Sequence, residues 1–292
     1  MKENWLFLNQ MSINTDLIDS NTTVILGFSG YGSVGTTVLN HIVERLRVES
    51  IGFWGTISWF HKGNLETPIT IYNLDAKSND SDEKFVLVTS RLPIPVVGYN
   101  ALPDAFWKWL SQELLSWNAK RYVIIGGLRE DVRNNSDDSW TTLIPTKKYT
   151  EIYNTKRTFK DDLSIKGPIS FLLTEGTAYN LPVLGILSYC NTYDIDLDAA
   201  LMALKDLEKQ LGLNLKSSEI EEFDFSFLEN QIEFFQDDSD FEEDYDPEFD
   251  NEYDEEYESY DGKRNSKNQN SYDDNSSFSL DKTNKDDLNK YR

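Results

Sequence analysis

Soft metal ligands and thiols are almost absent from this 292-residue chain, which has one cysteine, Cys190, and two histidines, His41 and His61. A lone cysteine closes no internal disulfide and suits a reducing compartment. Together the three side chains are too few for a zinc site. No run approaches the roughly 18 apolar residues that span a bilayer. The start, Met1-Lys2-Glu3-Asn4-Trp5, lacks a basic stretch followed by an apolar core, so the expectation is a cytoplasmic protein without a secretion signal. Positive charge is also scarce: 28 Lys and Arg face 51 Asp and Glu, a net charge of -23. Nucleic acid and anionic membrane surfaces need clustered bases, so neither is expected as a partner.

The negative charge is unevenly placed. From Ser217 onward there are 26 acidic and 7 basic residues, leaving 25 and 21 in the first 216, so the front carries only -4. That front reads as an α/β chain. Thr22–Phe28 (TTVILGF) is a short β-branched run suited to a buried strand, and Val34–Arg47 reads as a helix with Val34, Val38, Ile42 and Leu46 in one stripe. Further strands are expected at Ser50–Ser58, Ile69–Asn73, Lys84–Ser90, Arg121–Gly127 and Pro182–Tyr189. Helices are expected near Pro103–Trp117, from Gly167-Pro168 to about Asn180, and over Asp198–Leu211 with Gly212 as the stop. Arg129–Thr142 is polar and reads as a loop. Alternating strands and helices of this kind predict a mostly parallel sheet with helices on both faces. The expected organisation is an α/β domain over 1–216, an additional helix within 217–236 (Glu219–Phe235), and an acidic tail over 237–292. The tail's composition offers too little apolar area to offset the entropy of ordering, so disorder is expected there.

Gly30-Tyr31-Gly32-Ser33-Val34-Gly35 matches G-x-G-x-x-G between a strand and a helix. In dinucleotide-binding folds such glycines let backbone approach a pyrophosphate at a helix N-terminus. That reading also wants an acid about 20 residues on, at the end of the second strand, to hold a ribose. Here that strand ends Trp54-Gly55-Thr56-Ile57-Ser58, without one. The alternative is structural: Gly27, Gly30, Gly32 and Gly35 permit a tight turn and close packing of helix on strand. A site for a small molecule or a partner at the same loop stays open. No cofactor is assigned.

Gly27-Phe28-Ser29-Gly30-Tyr31-Gly32-Ser33-Val34-Gly35 resembles the opening of the proteasome assembly chaperone 2 family. Later landmarks follow in family order: Gly126-Gly127 ending a strand, Gly167-Pro168-Ile169 opening a helix, Glu175-Gly176, Leu184-Gly185-Ile186-Leu187, and Asp198-Ala199-Ala200. The resemblance spans about Thr22 to Leu215. It implies a three-layer α/β fold similar to nucleoside phosphorylases without their catalytic residues, oligomerisation of the chain, and binding to proteasome subunits. Family members that act on proteasomes often end in a hydrophobic–Tyr–any motif that docks between α-ring subunits. This chain ends Lys290-Tyr291-Arg292, with tyrosine in the required place and Arg292 bearing the carboxylate. Lys290 departs from the motif, and Leu288 is the nearest apolar residue before it. Leu288, Tyr291 and Arg292 are therefore the partner-binding candidates that the resemblance implies.

A flexible tether of about 55 residues has a root-mean-square span near 40 Å. Multivalency would strengthen one docked tyrosine and carboxylate if the body oligomerises. Phe241–Tyr260 alternates acids with Phe and Tyr, which reads either as a self-repelling solubiliser or as a segment for a basic partner surface.

Catalysis finds little support. His41 lies on the helix after the loop, His61 follows the second strand, and neither sits in a nucleophile or metal motif. Cys190 ends a strand, where catalytic groups sit in open α/β sheets, yet a lone cysteine is more often simply buried. Glu175 and Arg129-Glu130-Asp131 are candidates to supply charge near that edge, with their geometry left open by the sequence. The expected function is a non-catalytic assembly factor or adaptor, with a small-molecule enzyme using loop 30–35 as the alternative.

Overall fold

The computed structural model describes residues 11–54, 59–61, 64–67, 69–75, 82–90, 104–133, 139–159, 164–192 and 194–222. All fall in the first of two units of the chain, Met1–Phe241; the second is Glu242–Arg292. Among the described residues the strands are β1 (Met11–Ile13), β2 (Thr22–Gly27), β3 (Val48–Trp54), β4 (Trp59–His61), β5 (Asn64–Glu66), β6 (Ile69–Leu74), β7 (Lys84–Thr89), β8 (Arg121–Arg129), β9 (Thr141–Pro145) and β10 (Val183–Cys190). The α-helices among the described residues are α1 (Val34–Arg45), α2 (Asp104–Ser116), α3 (Lys147–Tyr153), α4 (Pro168–Ala178) and α5 (Leu197–Leu211).

Eight strands form one sheet in the order β1-β3-β6-β7-β2-β8-β10-β9, and β4 and β5 pair separately. The parallel part is the centre: β7 with β2, β2 with β8, and β8 with β10. On one side β1, β3 and β6 join antiparallel, and on the other β9 pairs antiparallel with β10. The sheet is therefore mixed, with parallel strands where helices cover both faces. Apolar runs such as Val24-Ile25-Leu26 in β2 are buried throughout because successive side chains enter opposite layers. Val24 and Leu26 join a core with Phe106, Trp107, Leu110 and Leu114 of α2 and Leu172 of α4. Ile25 joins the other core, with Val38, Leu39 and Ile42 of α1 and Leu204 and Leu207 of α5. The three-layer α/β architecture is the expected one, with a mixed sheet in place of a mostly parallel one because β1, β3, β6 and β9 add antiparallel pairings at its edges.

Local signals fix the helix ends. Asp196 caps α5 by accepting from the Ala199 amide at 2.9 Å, and Gly212, at φ +66°, ends it with its amide on the Glu208 carbonyl at 2.8 Å. Pro168 begins α4, where the missing amide hydrogen costs nothing, after Gly167 at φ +73°.

Several boundaries differ from expectation. β8 runs on to Arg129, and a 3-10 turn, Glu130–Val132, follows, so the expected loop begins late. It also ends early, because Thr141–Pro145 is β9, held by antiparallel pairing to β10. From the expected helix Glu219–Phe235, the structure shows a 3-10 turn at Ser217–Glu222; the remainder lies outside the described residues, as do residues 55–58 of the second expected strand and the tail.

At the amino ends of the central strands sits a buried ionic group. Arg121 at the start of β8 holds Glu83 at 2.7 Å, with both side chains at most 7% exposed. Lys120 reaches the other carboxylate oxygen at 2.5 Å, and the Thr23 hydroxyl donates to Glu83. The guanidinium also lies 4.8 Å from the Tyr153 ring centroid.

Candidate functional site

The glycine loop leaves the carboxyl end of β2, beside the carboxyl ends of β8 and β10. In an open α/β sheet this edge is where ligands bind, so the loop's packing decides what it can hold. Gly32 takes φ +62°, and Ser33, at φ +48°, leads into α1 with its amide on the Gly30 carbonyl at 3.0 Å. A Cβ on Gly32 would meet the Cys190 Cβ at 2.8 Å and its sulfur at 2.9 Å. A Cβ on Gly35 would meet the Ile125 carbonyl oxygen at 2.5 Å, and one on Gly27 would strike the Gly35 backbone. Gly127, at the corresponding level of β8, is pressed against the Tyr31 backbone and the Cys190 sulfur. Gly30 alone of the loop glycines has nothing within 4 Å of such a Cβ, and its φ of -169° is ordinary extended backbone. The space that a pyrophosphate would need against Gly32 and Gly35 is filled by β8 and β10. These glycines bring helix and sheet together.

Cys190 is the plug of this packing. Its thiol faces the Leu128 carbonyl at 3.5 Å, and burial, with the Asp196 charge adding, pushes its pKa up to about 12. A nucleophile needs the thiolate, so this thiol is inert at neutral pH. His41 is fully buried in α1, its Nε2 3.0 Å from the Lys216 carbonyl. Burial lowers its pKa below 6.5, although the Lys216 and Leu215 carbonyls pull the other way. It clasps the chain after α5 onto α1. Glu175 accepts from the Gln112 side chain at 3.3 Å, joining α2 to α4 on the other side of the sheet.

Next to the loop lies an open cleft of about 430 Å³, lined by Glu130, Trp140, Tyr189, Asp196, Asp198, Ala199 and Met202. Asp196 is committed to structure, since its second oxygen accepts from the Asn191 amide at 2.9 Å. The Asp196 amide in turn donates to the Gly32 carbonyl at 3.0 Å, tying the cleft wall to the glycine turn. Trp140 is 42% exposed and carries the Arg133 guanidinium 3.9 Å from its ring centroid. An acidic, aromatic lining repels phosphate and accommodates cationic groups. The sequence reading missed Trp140 and Tyr189 because they meet only through the β9–β10 pairing. Among the described residues no group of three or more His, Cys, Asp or Glu stands as a metal site, and no helix is long and apolar enough to cross a membrane. The candidates Leu288, Tyr291 and Arg292 lie outside the described residues, as does Lys290.

The PAC2 family profile matches residues 24–234, the span that contains both the glycine loop and the cleft. The chain belongs to the PAC2 family. Solved structures share the fold. The Pyrococcus furiosus protein PbaA, an archaeal homologue of proteasome-assembly chaperone, is 20% identical, with a TM-score of 0.57 over 78% of this chain and 99% of its own. PbaB of the same organism, an archaeal proteasome activator, is 17% identical, with a TM-score of 0.56 over 80% and 98%. A Thermoplasma acidophilum protein of unknown function is 20% identical, with a TM-score of 0.57 over 75% and 88%. At these identities the likeness is one of fold. No curated protein matches the chain.

Proposed function

We propose that this PAC2-family chain is a non-catalytic, cytoplasmic proteasome assembly factor or proteasome-associated adaptor. Its α/β body oligomerises and binds proteasome subunits, and Tyr291-Arg292 adds a tethered docking end. The family match over residues 24–234 carries the reading. The names of the similar structures, a proteasome-assembly chaperone homologue and a proteasome activator, point the same way. The filled glycine loop and the protonated Cys190 thiol support a binding role over a catalytic one.

The test is co-purification with proteasome α subunits from the same organism, with and without Tyr291-Arg292. Capture that weakens on removing the two residues supports both the partner and the docking end. Equal capture by both forms supports binding by the body alone. Absence of capture by either form refutes the reading.

A further inference from the structure

The cleft beside the glycine loop is walled by separate elements, each fixed through its backbone. Trp140 enters it just before β9, its carbonyl accepting from the Tyr189 amide at 2.9 Å and the Ser188 hydroxyl at 3.3 Å. Glu130 enters from the 3-10 turn after β8, its carbonyl accepting from the Arg133 amide at 2.9 Å. Asp196, Asp198, Ala199 and Met202 line it from the cap and first turns of α5. Asp198 and Met202 stand four apart and so share a face of that helix.

The charge of these walls is one-sided. The described lining residues include three carboxylates and no base. The bases nearest to Glu130 in sequence are engaged elsewhere. Arg129 holds both oxygens of Asp131, while Arg133 lies 3.9 Å from the Trp140 ring centroid and donates to the Ser139 carbonyl at 3.4 Å. Asp196 is spent on the Ala199 and Asn191 amides. Glu130 and Asp198 are exposed, and their side chains have no hydrogen bond or ion pair among the described residues. Trp140, Ala199 and Met202 supply an apolar wall between these charges, and the indole already carries a guanidinium, so cations are accommodated there.

We propose that this cleft binds a small aliphatic dication, an alkyl chain with an ammonium or guanidinium group at each end. The ends meet Glu130 and Asp198, and the methylenes lie along Met202 and Trp140. Its volume of about 430 Å³ suits a small molecule, and the carboxyl ends of β8 and β10 are where open α/β sheets bind ligands. An extended peptide would need a strand edge to pair with, and that of β9 is taken. The Leu143 amide donates to the Thr158 hydroxyl at 2.8 Å, and its carbonyl accepts from the Thr158 amide at 3.0 Å. The carboxylates do not converge as metal ligands do, since among the described residues no group of three or more His, Cys, Asp or Glu could hold an ion. Binding here requires neither a proteasome partner nor the tail.

The test is isothermal titration calorimetry of the full-length chain with agmatine, in about 0.15 M salt to screen diffuse attraction to the other acidic residues. One saturable site per chain is expected. Affinity should fall at least tenfold in Glu130→Gln/Asp198→Asn and severalfold in Trp140→Ala. Met202→Lys, which brings an ammonium into the cleft, serves if Trp140→Ala shifts the urea midpoint, and should abolish the site. Failure of agmatine to saturate one site overturns the proposal. Equal binding by these variants also overturns it, because uptake would then belong to acidic residues elsewhere. Tighter binding of acetyl-Gly-Arg-Gly-amide than of agmatine overturns it as well, since the cleft would then take a protein side chain.

Discussion

Glu83 holds the buried ionic group at the amino ends of the central strands together, and Glu83→Gln is the perturbation to make. Its two carboxylate oxygens serve Arg121 at 2.7 and 3.1 Å, Lys120 at 2.5 Å and the Thr23 hydroxyl. Arg121 is 6% exposed, so removing its counter-charge leaves a guanidinium out of water among neutral partners, which include Thr23 at 2.9 Å, the Gln210 carbonyl at 3.4 Å and the Tyr153 ring. Breaking one side of a buried ion pair costs about 3–5 kcal/mol. Glu83→Gln should fall at the upper end, because both Arg121 and Lys120 lose their anion. Arg121→Met should cost less, about 3 kcal/mol, since Lys120 still compensates Glu83. The double variant Arg121→Met/Glu83→Leu should cost less than Glu83→Gln alone, because no buried charge is then left unpaired.

Urea unfolding followed by tryptophan fluorescence reads these effects. With an m-value of about 3 kcal/mol per molar, the Glu83→Gln midpoint should fall by roughly 1.3–1.7 M. A shift below about 0.3 M would refute the reasoning, since the charges would then be solvated in the fold. The pH dependence gives a second reading. Burial works against the Glu83 charge, but Lys120, Thr23 and Arg121 outweigh it and hold the carboxyl below its ordinary value of 4.5. Stability from this group is present above pH 4.5 and is lost as pH falls through the lower folded value, a slope that Glu83→Gln should lack.

Gly32→Ala, at φ +62° and 2.8 Å from Cys190, should cost about 2–4 kcal/mol by urea unfolding, whereas Gly30→Ala should stay within about 0.5 kcal/mol. Equal effects would show that the loop is not packed on β10. Cys190, with its pKa pushed up to about 12, should fail to react with a disulfide reagent at pH 8 until urea unfolds the chain; rapid native labelling contradicts its burial. Burial lowers the His41 pKa below 6.5, so stability should fall as pH drops below 6.5 and the unfolded chain takes up a proton that the fold rejects. His41→Gln should flatten that slope between about pH 6.5 and 5, and an unchanged slope assigns it to other groups.

The central strands were legible because burial on both faces demands unbroken apolar runs, as in Val24-Ile25-Leu26 and Val86-Leu87-Val88. The starts and stops of α4 and α5 were legible in Gly167-Pro168 and Gly212, whose backbone conformations the sequence announces. The edges were not. β9 has five residues ending in Pro145 and exists by pairing with β10, while Met11–Ile13 is a strand only beside β3. Such short segments draw their order from a partner remote in sequence.

The glycine loop divides most clearly between the two levels. Its residues by themselves determined a turn between strand and helix, and, with later landmarks in order, the family. They left open whether Gly32 and Gly35 face a ligand or a neighbouring strand. Only the tertiary structure decided that, by placing Cys190 and the Ile125 carbonyl against those two glycines. The cleft came from the same level, since Trp140, Tyr189 and Asp198 converge only when β9 pairs with β10 and α5 follows. Local sequence sets backbone preference over a few residues, whereas occupancy of space at a sheet edge is a property of the whole packed chain.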